Sequence, residues 1–266
     1  MADTTLDTSF ADLAVTLAGP VATVEIQRPP ANYFDLALID ALASAYEYLE
    51  GERDCRAIVL CSDGRHFCAG AKFGGPTGDA DRDADPVDTD ALYARSLALF
   101  SLSKPVVAAV QGGAVGGGAG LALSADFRVG EPASWFAFNF ARLGIHQGFG
   151  ISATLPRVAG QQRALDFLYT GRRIKGEEAR AAGLFDRLAE PGTLRDTATA
   201  LAAEIAANAP LAVQSIRRTM RRALAEEVRA AHPVEAREQR ELFTTADFRR
   251  GVDAAARREE PAFEGD

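Results

Sequence analysis

The spacing of apolar residues shifts along this chain, and each shift predicts a different element. Val15-Thr16-Leu17 and Val21-Ala22-Thr23-Val24-Glu25-Ile26 flank Gly19-Pro20 and predict a hairpin. After Arg28-Pro29-Pro30, apolar residues recur at helical spacing over 36–49 (Leu38, Leu42, Ala45, Leu49). Ala57-Ile58-Val59-Leu60-Cys61 is short and apolar throughout, which predicts a buried strand. Asp63-Gly64 then turns the chain into His66-Phe67-Cys68-Ala69-Gly70-Ala71. A helix is expected over 90–102, a strand over 105–110 and a helix over 117–124, with further strands at 127–129 and 134–138. From about Gly148 the pattern turns mostly helical, over 164–169, 176–182, 193–208, 210–224, 234–243 and 245–258. Leu184-Phe185-Asp186-Arg187-Leu188 is a strand-like interruption. Strand-strand-helix units therefore come first and helices second, an α/β class. Residues 1–195 are read as the core and 196–266 as a C-terminal helical region.

Composition narrows the classes. The 266 residues are 47% hydrophobic and 25% charged, enough apolar residue for a full core. A formal net charge of -8 argues against a general nucleic-acid binder. Lys72, Lys104 and Lys175 are the only lysines, so nearly all positive charge is arginine. No apolar run reaches membrane-spanning length, and Met1-Ala2-Asp3-Thr4-Thr5 lacks the pattern of a signal peptide. The expectation is a cytoplasmic protein, with Cys55, Cys61 and Cys68 as buried free thiols. Residues 74–90 are rich in Gly, Pro and Asp and are expected to form a surface loop. Asp79, Asp81, Asp83 and Asp90 superficially resemble a calcium loop, but Ala84 replaces its turn glycine and the closing Glu is missing, so no metal is expected.

Chemistry enters with the stretch from Gly112 to Gly120. An apolar strand feeds a glycine-lined turn that opens a helix, where a ligand can lie against bare backbone N–H groups. The helix dipole favours negative charge there, so the turn suits an oxyanion. The dinucleotide fingerprint G-x-G-x-x-G fails at every register, because Leu121 or Leu123 stands where its last glycine should be. The P-loop, zinc-protease, α/β-hydrolase and paired C-x-x-C patterns are also missing.

Several segments together resemble the crotonase, or enoyl-CoA hydratase/isomerase, superfamily. Phe67-Cys68-Ala69-Gly70-Ala71 is similar to its F-x-A-G-A-D turn, and Lys104-Pro105 through Gly112 and Gly116-Gly117-Gly118 to its K-P…N-G-x-x-x-G-G-G block. Ala125-Asp126-Phe127-Arg128, Leu143-Gly144 with Gly148, and Thr170-Gly171-Arg172-Arg173-Ile174 with Ala182-Gly183-Leu184 match further blocks in order. The tail from Arg257-Arg258 to Pro261-Ala262-Phe263 resembles the family ending. The resemblance implies a spiral of ββα turns, a helical C-terminal region that drives trimer formation, often with two trimers stacked, and acyl-CoA substrates. It places the two oxyanion-hole amides at Ala71 and Gly117, with Gly70, Gly116 and Gly118 beside them and Ala69 at a position that recognises the CoA adenine. No cofactor is implied beyond the coenzyme A of the substrate itself. Asp126 falls on a structural position.

The departures from that pattern bear on the reaction. Family hydratases use two glutamates, and the matching positions here are Gly120 and Phe140, neither of which transfers a proton. Lys72 stands where an aspartate usually follows Gly-Ala, and Asn139-Phe140 replaces Pro-Glu. Two-carboxylate hydration is therefore not expected; decarboxylation, thioester hydrolysis or C–C cleavage remain open, as does an acyl-CoA-binding subunit without turnover. His146 is the leading substitute acid or base, the alternative being a histidine packed in its turn. Asn139 could orient a carboxylate or water, or cap the next helix; Lys72 could meet a CoA phosphate or an acidic acyl group, or simply be solvated. Tyr93 could line the acyl pocket. Trp135, Phe136, Phe138, Phe140 and Phe149 are expected around the acyl end, or as alternating strand core. His66 is read as leading into its turn and His232 as opening a C-terminal helix before Pro233.

Overall fold

A strand apolar on both faces must be covered on both, and the apolar runs of the first half become the centre of a two-sided sheet. The computed structural model describes residues 4–5, 10–72 and 88–266. Its first strands and helices are β1 (Thr4–Thr5), β2 (Leu13–Ala18), β3 (Val21–Ile26), α1 (Leu36–Gly51), β4 (Ala57–Ser62) and α2 (Thr89–Ser101). Then come β5 (Val106–Val110), β6 (Gly113–Val115), α3 (Gly117–Ser124), β7 (Phe127–Gly130), β8 (Trp135–Ala137) and a short 3-10 turn (Ala141–Leu143). The rest is α4 (Ile151–Ala159), α5 (Gln161–Thr170), β9 (Arg173–Lys175), α6 (Gly176–Ala181), β10 (Arg187–Leu188), α7 (Leu194–Ala206), α8 (Pro210–Phe243) and α9 (Ala246–Arg257).

Among the described residues the main sheet runs β1-β2-β3-β4-β5-β7-β10, antiparallel from β1 to β3 and parallel beyond. A second sheet, β6-β8-β9, is extended by a bridge between Cys68 and Ala114. Each turn of the chain thus lays a strand in the first sheet, a strand or bridge in the second, and then a helix. That is the ββα spiral. The period of two sorts β4 and β5 cleanly. Val59, Cys61, Val107 and Ala109 face Leu194, Ala198, Leu201 and Ala202 of α7, while Ile58, Leu60, Val106 and Ala108 belong to the larger core with α1 and α3. Cys55, Cys61 and Cys68 are free and buried as expected, and burial pushes the Cys68 thiol up to about 12.

The structure corrects several expectations. Residues 210–224 and 234–243 lie in one helix of 34 residues, with Pro233 inside it and His232 in its interior rather than at a start. A proline there gives up one helical hydrogen bond. Packing compensates, because Leu224, Val228, His232, Glu235, Ala236 and Gln239 form one buried stripe along α8. The boundary drawn between 195 and 196 falls inside α7, whose apolar side covers the main sheet. Strands β6 and β9 and helix α4 were not foreseen. The acidic positions 79, 81 and 83 lie outside the described residues, while Asp88 caps α2 by accepting from the Ala91 amide.

Helix α8 is tied to the core through charge. Asp126, just past α3, accepts Arg217 Nε at 2.8 Å and the Val106 amide at 2.8 Å, and pairs with Arg221 at 3.1 Å. Arg221 also donates to the carbonyls of Ser124 and Ala125 at the end of α3. Asp126 is therefore structural, as its position in the resemblance implied. Removing it strands two largely buried guanidiniums. Asp126→Ala is expected to lower the free energy of unfolding by about 3–5 kcal/mol in urea denaturation.

Candidate active site

Two turns meet through their backbones. Cys68 donates to the Gly113 carbonyl at 3.2 Å and accepts from the Val115 amide at 3.0 Å. Neither turn could carry a side chain at its contact point. A Cβ on Gly118 would stand 2.3 Å from the Cys68 carbonyl oxygen, and one on Gly70, at φ +83, would stand 2.8 Å from that of Val115. A third segment locks in beside them, with the Phe34 amide on the Gly70 carbonyl at 3.0 Å and the Ala69 amide on that of Ala31 at 2.9 Å.

Most amides here are spent inside the protein. Gly116 donates to Ala137, and Ala119 and Gly120 both donate to Gly116. Among the described residues, the amides of Ala71 and Gly117 donate to no protein acceptor. Gly117 is the first residue of α3, so its N–H is one that helix geometry leaves unpaired at the positive end of the dipole.

Aromatic rings close around these glycines. A Cβ on Gly117 would stand 3.0 Å from the Phe34 ring, and one on Gly116 3.8 Å from Phe140 and 3.7 Å from Asn139 Oδ1. One on Gly120 would stand 3.0 Å from Phe149 and 3.3 Å from Ile151. Phe34 and Phe149 meet edge to face at 4.9 Å. Phe149 sits at φ +60, a conformation that costs a bulky residue on the order of 1–3 kcal/mol. Helix α8 holds it there. Glu235, fully buried, accepts from the amides of Gly150 at 2.8 Å and Ser152 at 2.9 Å. Burial pushes its carboxyl above the usual range, against those hydrogen bonds. Gln239 accepts from the Tyr93 hydroxyl at 2.8 Å and donates to the His146 carbonyl at 3.0 Å.

The remaining candidates fall into place around this centre. His146 is half-buried, and its Nδ1 lies 2.7 Å from the Gln147 carbonyl. Tyr93 is buried beneath the 146–150 turn, and burial raises its pKa above the ordinary phenol value. Lys72 is exposed. Asn139 caps no helix; it lines a cavity of about 370 Å³ on the outer side of the second sheet, with Arg142, Arg172 and Arg173 in the wall. His66 accepts from the Gly113 amide at 3.0 Å and so helps fix the turn it precedes. The expected aromatic cluster divides. Phe140 and Phe149 face the glycines, whereas Phe136 and Phe138 pack in the core on Phe185 and Phe167. Trp135 faces the outer side under the Arg173 guanidinium, because alternate residues of a strand point to opposite faces. Phe34, Glu235 and Gln239 were not singled out in the sequence. An apolar residue before a helix reads as core, and single polar residues on a charged helix read as solvated.

The family model for enoyl-CoA hydratase/isomerase matches residues 17–266. The chain belongs to the enoyl-CoA hydratase/isomerase family. Within it, the chain is 30% identical over 255 residues to 1,2-epoxyphenylacetyl-CoA isomerase of Escherichia coli, covering 92% of this chain and 95% of that one. It is also 30% identical over 260 residues to enoyl-CoA hydratase EchA19 of Mycobacterium tuberculosis, covering 95% and 96%. The crystal structure of an enoyl-CoA hydratase/isomerase from Pseudoalteromonas atlantica superposes with a TM-score of 0.83 at 29% identity, covering 95% of this chain and all of that one. The crotonase fold and the family expected from the motifs are thus both present.

His232 supplies a pH test of the packing beneath the site. Its ring stacks on Tyr93 at 4.8 Å, and neither nitrogen has a hydrogen-bond partner. Burial pushes its pKa from 6.5 down to about 4. The unfolded chain takes up this proton near pH 6.5 and the folded chain only near pH 4, so the folded state loses stability as pH falls through that window. Urea midpoints of wild type should drop between pH 7 and pH 4.5 by more than those of His232→Phe, which keeps a ring and cannot titrate.

Proposed function

We propose that this family member is an acyl-CoA enzyme that stabilises a thioester enolate between the amides of Ala71 and Gly117. The reading is carried by one observation: two amides from separate turns, joined backbone to backbone, both remain unspent. A thioester oxygen bound between them gains negative charge as the enolate forms. Fixed donors then stabilise that charge more than they stabilise the ground-state carbonyl, each contributing about 3 kcal/mol in comparable sites. The Ala69 amide is taken by Ala31, which leaves its carbonyl to accept from the CoA adenine. Lys72, exposed beside Ala71, suits a CoA phosphate.

The reaction proposed is not hydration by two carboxylates. Gly120 offers no side chain and is covered by Phe149, and Phe140 stands beside Gly116. Decarboxylation, thioester hydrolysis or C–C cleavage suit the site better, with His146 moving the proton. A second reading, an acyl-CoA-binding subunit without turnover, is favoured by the same rings lying over the glycines. The assembly proposed is a homotrimer or a dimer of trimers; Leu211, Ile216 and Met220, exposed on the first half of α8, are consistent with a covered face. No helix among the described residues is long and apolar enough to cross a membrane, and a cytoplasmic location is proposed.

Incubation with a panel of acyl- and enoyl-CoAs, followed by mass spectrometry and calorimetric CoA binding, tests both readings. Turnover that disappears in His146→Ala while binding persists supports the enzyme. Binding without product from any thioester supports the silent subunit. Crotonyl-CoA hydration at a rate typical of hydratases would overturn the argument from Gly120 and Phe140. Gly118→Ala forces the two turns apart and is expected to lower kcat/KM about 100-fold or more for whichever thioester reacts.

A further inference from the structure

We infer that the cavity on the outer side of the second sheet binds a small oxyanion, a carboxylate or phosphate group, between Arg173 and Arg142. The inference goes beyond the acyl-CoA reading and does not rest on it.

Strand register builds the cavity. Val115, Ala137 and Arg173 pair across β6, β8 and β9 and share one face of the sheet, and Trp135, two residues before Ala137, lies on that face too. The short side chains of Val115 and Ala137 leave depth between the long ones of Trp135 and Arg142. Both long side chains lie against bare backbone. A Cβ on Gly113 would stand 2.5 Å from the Trp135 ring, and one on Gly171 would stand 2.8 Å from Cγ and Cδ of Arg142. The space that remains, about 370 Å³, is of the size that small ligands occupy.

Charge gives the cavity its chemistry. Three guanidiniums line it, those of Arg142, Arg172 and Arg173, and no carboxylate does. Arg173 has no ion pair among the described residues; it lies over the Trp135 ring at 4.3 Å, which holds it in place without neutralising it. Arg142 pairs with Glu260 and Arg172 with Asp166 and Glu178, in each case through Nη2. A guanidinium carries several N–H donors, so both keep some after that pairing. Asp166 and Glu178 line a separate cavity that shares Arg172, and the Glu260 side chain is 82% exposed. The acids therefore stand outside while the cations face in. A guanidinium matches the paired oxygens of a carboxylate or phosphate, and the Asn139 amide adds a further donor to the wall.

Asn139 also stands beside the glycine turn, its Oδ1 3.7 Å from the Cβ position of Gly116. The oxyanion has two possible sources, a free anion or a second carboxylate on an acyl group bound at that turn. The chemistry of the grip is the same for both.

Trp135 is the only tryptophan of the chain, so intrinsic fluorescence reports on this cavity alone. Titration of the full-length protein with inorganic phosphate and with succinate should give a saturable change in emission, whereas uncharged succinamide and sodium chloride at matched ionic strength should not. Arg173→Gln should weaken the response about 10-fold or more, as the loss of a charge-assisted pair of hydrogen bonds requires. Arg142→Gln, which leaves Arg173 on its ring, should weaken it as well, and Arg163→Gln in the neighbouring cavity should not. No saturable change with either anion up to about 50 mM, with calorimetry equally flat, overturns the inference. An unchanged response in folded Arg173→Gln and Arg142→Gln overturns it too. Calorimetry with succinyl-CoA and butyryl-CoA separates the sources. A preference for succinyl-CoA that disappears in Arg173→Gln assigns the oxyanion to the acyl group; equal affinities beside a persisting response to phosphate or succinate assign it to a free anion. Failure of both thioesters to bind overturns the acyl-CoA reading and leaves the oxyanion site standing.

Discussion

The paired hydrogen bonds between Cys68 and the strand Gly113–Val115 are the constraint on which the site depends. They give the 68–71 turn and the glycine turn the fixed separation of neighbouring strands, about 4.8 Å. Ala71 and Gly117 follow just beyond that junction, so their amides inherit its rigidity rather than the freedom of a loop. The junction can form only if Gly70 and Gly118 carry no side chain, since either Cβ would enter a backbone carbonyl of the other turn. Glycine is here a packing requirement first and a ligand-access requirement second. The two demands select the same residues.

The other end of α3 is held by α8. Arg217 and Arg221 converge on Asp126, and Arg221 also binds the terminal carbonyls of Ser124 and Ala125. Cations at a helix C-terminus favour its dipole, which is the dipole that leaves Gly117 positive at the opposite end. Further along, the same helix places Glu235 under the start of α4 and Gln239 between Tyr93 and His146. One long helix therefore fixes both the helix that opens at Gly117 and the turn that carries Phe149. Its single buried stripe explains why Pro233 does not break it.

Runs with an unbroken or clearly periodic apolar pattern were legible: β3, β4, β5, α1 and the short α3 lie close to where the sequence places them. Strand β6 was hidden because Gly113-Ala114-Val115 sits within a glycine run and pairs only through distant partners. Local propensity around Pro233 predicted a break that tertiary packing overrides. At the site, the sequence marked the glycine turn itself, since few other reasons place so many glycines together after a strand. The aromatic residues were less legible. Trp135, Phe136 and Phe138 follow one another closely in sequence but divide between faces of a strand, and Phe34 reaches the glycines only because its amide is held by Gly70.

The chemistry of the glycine face follows from what touches it. Among the described residues, the atoms nearest the Cβ positions of Gly116, Gly117 and Gly120 belong to Asn139, Phe140, Phe34, Phe149 and Ile151, none of them ionisable. In such surroundings the effective dielectric is low, and on the proposed reading two fixed N–H dipoles would act on an enolate far more strongly than they would in water. The buried carboxylate nearest the turn, Glu235, is committed to two backbone amides at the start of α4. Under the proposed reading, a face whose nearest described neighbours are aromatic, aliphatic and amide side chains is poorly suited to begin by removing a proton. It is better suited to receive an enolate whose electrons arrive from a bond broken within the substrate. A proton can then be returned from His146 or from solvent in a later step.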